Sequence, residues 1–113
     1  MLESESRLDQ DLVSFLESRV PTVEHLEVLL LISSSPEHWW TMRALNDLLR
    51  SREESIRSRV KELCEQGLVE KAAYQEIYRL LDDPALQELM QRLRNAYKTF
   101  RVRVIETIYA PKQ

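Results

Sequence analysis

The chain has 113 residues with a single glycine, Gly67, and a single cysteine, Cys64. That length fits one small domain or a domain with a helical extension. The glycine count leaves little room for a glycine-rich phosphate loop, and one cysteine excludes an intrachain disulfide framework or a cysteine-built zinc site.

The net charge of −3 by itself argues against a nucleic-acid partner, but the charge is unevenly spread. Residues 1–41 carry a net −6, residues 42–61 a net +3, residues 62–83 a net −4 and residues 84–113 a net +4. Two basic blocks therefore sit inside an acidic chain, and a local basic patch is what phosphate binding requires. The acidic N-terminus does not read as a secretory signal, and the longest apolar run, Val28 to Ile32, falls far short of the about 20 residues a membrane span needs. No membrane association is expected. A reducing cytoplasm suits the lone thiol.

In chain order, residues 6–19 form the first predicted helix, amphipathic through Leu8, Leu12, Phe15 and Leu16. Pro21 separates it from a helix over 23–33 capped by Thr22, whose apolar centre belongs in the middle of the fold. Ser33-Ser34-Ser35-Pro36 ends that helix, and Trp39-Trp40-Thr41 suits a short extended piece. A helix over 42–50 turns Ala44, Leu45, Leu48 and Leu49 inward. Ser51-Arg52-Glu53-Glu54 reads as a capping box opening a helix over 52–66, with Ile56, Val60, Leu63 and Cys64 on one face. Gly67 stands where a helix stops on a left-handed residue. Residues 68–73 and 76–81 then pair as a hairpin with Tyr74-Gln75 near the tip. Asp83 caps and Pro84 opens a last helix reaching toward Tyr109. The predicted organisation is an N-terminal helix (1–21), a central domain (22–83) and a C-terminal helix (84–113).

Helix, short strand, helix, tight turn, helix and hairpin is the winged-helix order, giving a mainly α fold with a small β-hairpin. The sharpest signal is Val60-Lys61-Glu62-Leu63-Cys64-Glu65-Gln66-Gly67-Leu68-Val69, a helix that halts at glycine and passes into an apolar strand. Here the sequence resembles bacterial winged helix-turn-helix transcriptional regulators of the MarR/ArsR/PadR-like group. Trp39 to Leu45 looks like the group's entry into its second helix, and Ala96 to Tyr109 like the tail of some members. The resemblance implies that the helix over 52–66 enters the DNA major groove. Ser55, Arg57, Ser58, Arg59 and Lys61 would face bases or phosphates, and Arg43, Arg50 and Arg52 would contact the backbone. Lys71 would serve from the wing. Glu53, Glu70 and Glu76 depart from that pattern by putting carboxylates beside the cations. A winged helix that binds protein rather than DNA is the alternative, because fold alone does not fix function.

Other features have plainer readings. His25, between Glu24 and Glu27, reads as a surface residue, and with one cysteine no metal or other cofactor is expected. Cys64 reads as a small buried hydrophobe. Asp82-Asp83 reads as a helix cap rather than as acid/base chemistry, and no catalytic motif supports an enzyme.

The last helix carries the dimer expectation. Leu86, Leu89, Leu93, Tyr97, Phe100, Val104 and Ile108 share one stripe, and an unbroken helix would run for about 39 Å. A domain of this size leaves part of such a stripe bare. A second copy is then the simplest cover, and a homodimer fits a palindromic DNA site. The β-branched run Val102, Val104, Ile105, Thr107 and Ile108 permits a break near Thr99, with the helix end folding back on its own domain.

Overall fold

Thr22 and Thr41 show how local chemistry starts the central helices. Each threonine is extended, and its Oγ1 accepts the N–H of the residue three positions on, His25 at 3.2 Å and Ala44 at 3.0 Å. In the computed structural model, which describes residues 8–110, they open α2 (Val23–Ser33) and α3 (Met42–Leu49). Before them runs α1 (Gln10–Arg19), capped by Asp9. After them come α4 (Glu53–Glu65), α5 (Pro84–Thr99) and α6 (Arg101–Tyr109). Three short strands, β1 (Trp40–Thr41), β2 (Val69–Lys71) and β3 (Ile77–Leu80), make an antiparallel sheet in the order β1–β3–β2.

The core is built around α2, whose Leu26, Val28, Leu29 and Ile32 are fully buried. It meets Leu45 of α3, Ile56, Val60 and Leu63 of α4, and Tyr78 and Leu80 of β3 within one apolar cluster. Burying each such side chain is worth about 1.5–3 kcal/mol. Helix α2 stops because its last carbonyls find side-chain donors. Ser33 and Ser34 hydroxyls bond the carbonyls of Leu30 and Leu31, and Arg94 of α5 donates to Leu30 O at 2.9 Å.

The end of α4 is closed by a Schellman motif. Leu68 N–H bonds Leu63 O and Gly67 N–H bonds Cys64 O, both at 3.0 Å, with Gly67 left-handed at φ +77. Buried Leu63 and Leu68 supply the apolar contact that accompanies the motif. Arg19 of α1 adds a hydrogen bond to the carbonyl of Gln66, a cation at the negative end of the helix. The chain then enters β2, and the hairpin pairs Val69 with Leu80, Glu70 with Arg79 and Lys71 with Tyr78. Its tip carries Tyr74, 98% exposed.

Several sequence expectations are corrected. The first described helical residue is Gln10; residues 6 and 7 of the expected N-terminal helix lie outside the described residues, and Leu8 precedes the helix. The capping box does not form. Arg52 is the cap residue and offers no side-chain bond, so Ser51 stands one position too early. Leu48 is not inward but 61% exposed, because the buried face of α3 runs through Met42 and Leu45. Cys64 is half-buried, and burial pushes its thiol above the ordinary value. His25 is not on the surface: it is 2% exposed, the least expected member of the interior.

The C-terminal helix is broken at Phe100 (φ −126, ψ 48), and α6 folds back on α1. The break lets Val104 and Ile108 become fully buried instead of projecting past the domain. Among the predicted dimer residues, Leu86, Leu93, Val104 and Ile108 are thus buried within one chain, and Leu89, Tyr97 and Phe100 are half-buried. Most of the stripe that argued for a second copy is covered by the chain itself.

Candidate nucleic-acid interface

Helices α3 and α4 are joined by three residues, of which Arg50 is left-handed at φ 56. This is the only non-glycine residue among the described ones with positive φ, and it lets α4 follow α3 without a longer loop. Both the turn and the outer face of α4 are rich in cations. Of the predicted contact residues, Arg43, Arg50, Arg52, Arg57, Ser58, Lys61 and Lys71 are exposed. Arg43, Arg50, Arg52 and Lys61 form no ion pair with any described residue. Arg52, Ser55 and Ser58 line an open hollow of about 290 Å³ with Glu54 at the start of α4.

The predicted readers Ser55, Arg57 and Arg59 are engaged inside the chain. Arg57 Nη2 donates to Glu53 Oε2 at 3.1 Å, one helical turn back, and Arg57 Nη1 donates to Glu76 of the hairpin. The Tyr78 hydroxyl donates to the same Glu76 oxygen at 3.2 Å, so that carboxylate is held from two sides. Arg59 is half-buried between Glu24 of α2, at 3.1 Å, and Glu62, at 2.7 Å. Ser55 donates to Glu24.

These pairs extend into a chain of contacts reaching the interior. Glu62 Oε1 lies 2.6 Å from His25 Nε2, and His25 Nδ1 lies 2.6 Å from Thr22 Oγ1. Because Thr22 Oγ1 also accepts the His25 N–H, its hydroxyl proton is available to Nδ1, and Nε2–H then donates to Glu62. The Glu24 carboxyl is held below its ordinary value, first by the Ser55 hydroxyl and then by Arg59, with Ser51 acting in the same sense. The Glu62 carboxyl is held down first by His25 and then by Arg59.

On the hairpin, Lys71 extends from β2, while Arg79 pairs with Glu70 at 2.8 Å and stacks over Trp39, 4.5 Å from the ring centroid. Arg79 is thereby engaged within the chain. Sequence reasoning took Thr22 only as a helix cap and did not connect Glu24, His25 and Glu62 to the cations of α4. The Glu53–Arg57 and Arg59–Glu62 spacings were readable as helical pairs, whereas the contacts of Glu24, His25 and Glu76 join residues far apart in the chain.

Among the described residues there is no group of three or more His, Cys, Asp or Glu side chains placed to hold a metal ion. No helix among them is long and apolar enough to cross a membrane. Compared with known proteins, the chain matches no family model, no curated protein and no solved structure.

Proposed function

We propose that this chain is a DNA-binding transcriptional regulator of the winged helix-turn-helix type, a cytoplasmic binding protein rather than an enzyme. In this reading α2, α3 and α4 with the β2–β3 hairpin are the winged helix, α4 enters the major groove, and the hairpin is the wing. The observation that carries the reading is a set of exposed cations with no ion pair among the described residues, Arg43, Arg50, Arg52 and Lys61, gathered on the three-residue turn and the two helices it joins. Cations placed this way suit backbone phosphates, which set register and supply most of the affinity.

One specific observation favours a protein-binding adaptor as the second reading. Arg57 and Arg59, the side chains best placed to read bases, are each met by two carboxylates. Such pairing suits a surface of mixed charge, as protein partners offer.

Fluorescence anisotropy with labelled genomic duplexes at two salt concentrations separates the two. DNA binding gives a rise in anisotropy that falls steeply with salt, and Arg52→Ala weakens all sequences alike. No rise with any fragment leaves the adaptor reading. A homodimer remains part of the DNA proposal. With most of the predicted stripe buried, we assign it to the outer face of α6, where Val102 and Tyr109 are 66% and 64% exposed.

A further inference from the structure

We infer that Glu76 and Glu53 form a carboxylate clamp on Arg57 that a nucleic-acid phosphate or base has to displace, so the interface is masked by its own chain and discriminates against non-cognate DNA. The inference rests on the nucleic-acid reading above and adds how the site selects its ligand.

Three observations carry it. Arg57 engages two carboxylates from different elements, one from its own helix and one from the hairpin just before β3. Glu76 is fixed rather than trailing in solvent, because the buried Tyr78 directs its hydroxyl to the same oxygen that Arg57 contacts. The cations around Arg57 are treated differently: Arg52 at the cap of α4 and Lys61 on its outer face have no carboxylate partner among the described residues. The clamp therefore falls on a residue predicted to read sequence and spares those suited to phosphates.

Its consequence follows from charge. When α4 meets a duplex, Arg57 exchanges two carboxylates for the DNA, and Glu53 and Glu76 lose their cation beside a polyanion. At a random site Arg57 gains one phosphate and the two freed carboxylates are repelled. At a matching site Arg57 bonds a guanine edge in a bidentate way, and a freed carboxylate accepts from a cytosine amino group. The clamp thus weakens non-specific binding more than specific binding, a repulsive element that raises the ratio between them.

The test is anisotropy of the full chain with two labelled duplexes, one recovered from genomic DNA by the wild-type protein and one of mixed sequence. Glu76→Gln is expected to bind the mixed duplex about threefold to tenfold tighter, with a smaller gain on the recovered duplex and a salt slope steeper by about 0.9. The gain should vanish in an Arg57→Ala background, and Glu54→Gln, which removes a carboxylate with no ion pair among the described residues, should gain less. Tyr78→Phe, which frees Glu76 without changing charge, should shift affinity the same way by less. Circular-dichroism melting confirms that each variant is folded. If the wild type binds DNA and Glu76→Gln gains nothing, or gains equally without Arg57, the clamp is overturned and the DNA reading stands. If neither wild type nor Glu76→Gln binds either duplex, both are overturned.

Discussion

His25 Nε2 and Glu62 Oε1 stand 2.6 Å apart, joining the first turn of α2 to the outer face of α4. The imidazole is buried and the carboxylate half-exposed, so the contact carries a polar link from the interior to the candidate DNA surface. His25→Ala removes both ring hydrogen bonds and leaves a void beside the core. It should lower stability by about 2–4 kcal/mol. Glu62→Ala should cost less, about 1 kcal/mol, because water replaces a half-exposed partner. Urea unfolding measures both. An unchanged midpoint for His25→Ala would place the imidazole at the surface, where the sequence alone had put it.

The same network sets the acid limit of the fold. Glu24 and Glu62 are both held below their ordinary value of 4.5. The unfolded chain therefore takes up protons first as the solution is acidified. The stability they contribute is complete above 4.5 and is lost as pH falls through the depressed folded values. Unfolding midpoints followed from neutral pH down through the carboxylate range should hold and then decline. The double variant Glu24→Gln, Glu62→Gln should start lower and decline less. An equal decline in the double variant would assign the acid sensitivity to other carboxylates.

Gly67 and Arg50 present the same backbone problem with opposite residues. Both are left-handed, at φ 77 and φ 56. A Cβ added at Gly67 meets nothing within 4 Å, so the cost of substitution is conformational rather than steric. Gly67→Val should destabilise by about 1–2 kcal/mol, and Gly67→Asn by less. Arg50→Gly relieves strain at the α3–α4 turn and should gain about 0.5 kcal/mol after the added freedom of the unfolded chain is subtracted. Thermal melting by circular dichroism reads all three. Arg50→Gly should also weaken DNA binding, so stability and affinity move in opposite directions.

Local signals explain which parts of the fold could be read in advance. Thr22, Asp83-Pro84 and Gly67 act on neighbours within a few residues, and the helix starts and stop they imply are present. The inward face Ile56, Val60 and Leu63 follows from periodicity alone. Ser51 misled because a capping box depends on which residue turns extended, and the left-handed Arg50 shifts that position to Arg52. His25 misled because its acidic neighbours Glu24 and Glu27 outweighed its spacing with Val28, Leu29 and Ile32 on the buried face, and its partner Glu62 is thirty-seven residues away. The candidate site divides in the same way. Exposed cations on one helix are legible, but whether Glu24, Glu62 or Glu76 reaches them depends on how α2 and the hairpin dock.

The break at Phe100 gives α6 two apolar faces with different work. Val104 and Ile108 are buried, in a helix that packs against α1, while Val102 and Tyr109 point outward with Ile105 half-buried between the faces. At 100° per residue Val102, Glu106 and Tyr109 share one side, and Arg101 and Arg103 flank it. A charge placed on the inner face has no water or partner there, so Val104→Asp should unfold or severely destabilise the chain, by about 3 kcal/mol or more. A charge on the outer face meets solvent in a monomer and costs under about 0.5 kcal/mol. In a dimer joined through that face it would be costly, and Val102→Asp combined with Tyr109→Asp should yield a folded monomer. Light scattering on a sizing column, paired with melting curves, distinguishes these outcomes. A wild-type mass of one chain at micromolar concentration removes the dimer from the proposal. A wild-type dimer that persists in the double variant moves the interface to another face. The dimer that dissociates in the double variant while keeping its melting cooperativity is the expected result, with DNA affinity falling in step because two joined domains bind a palindromic site more tightly than one.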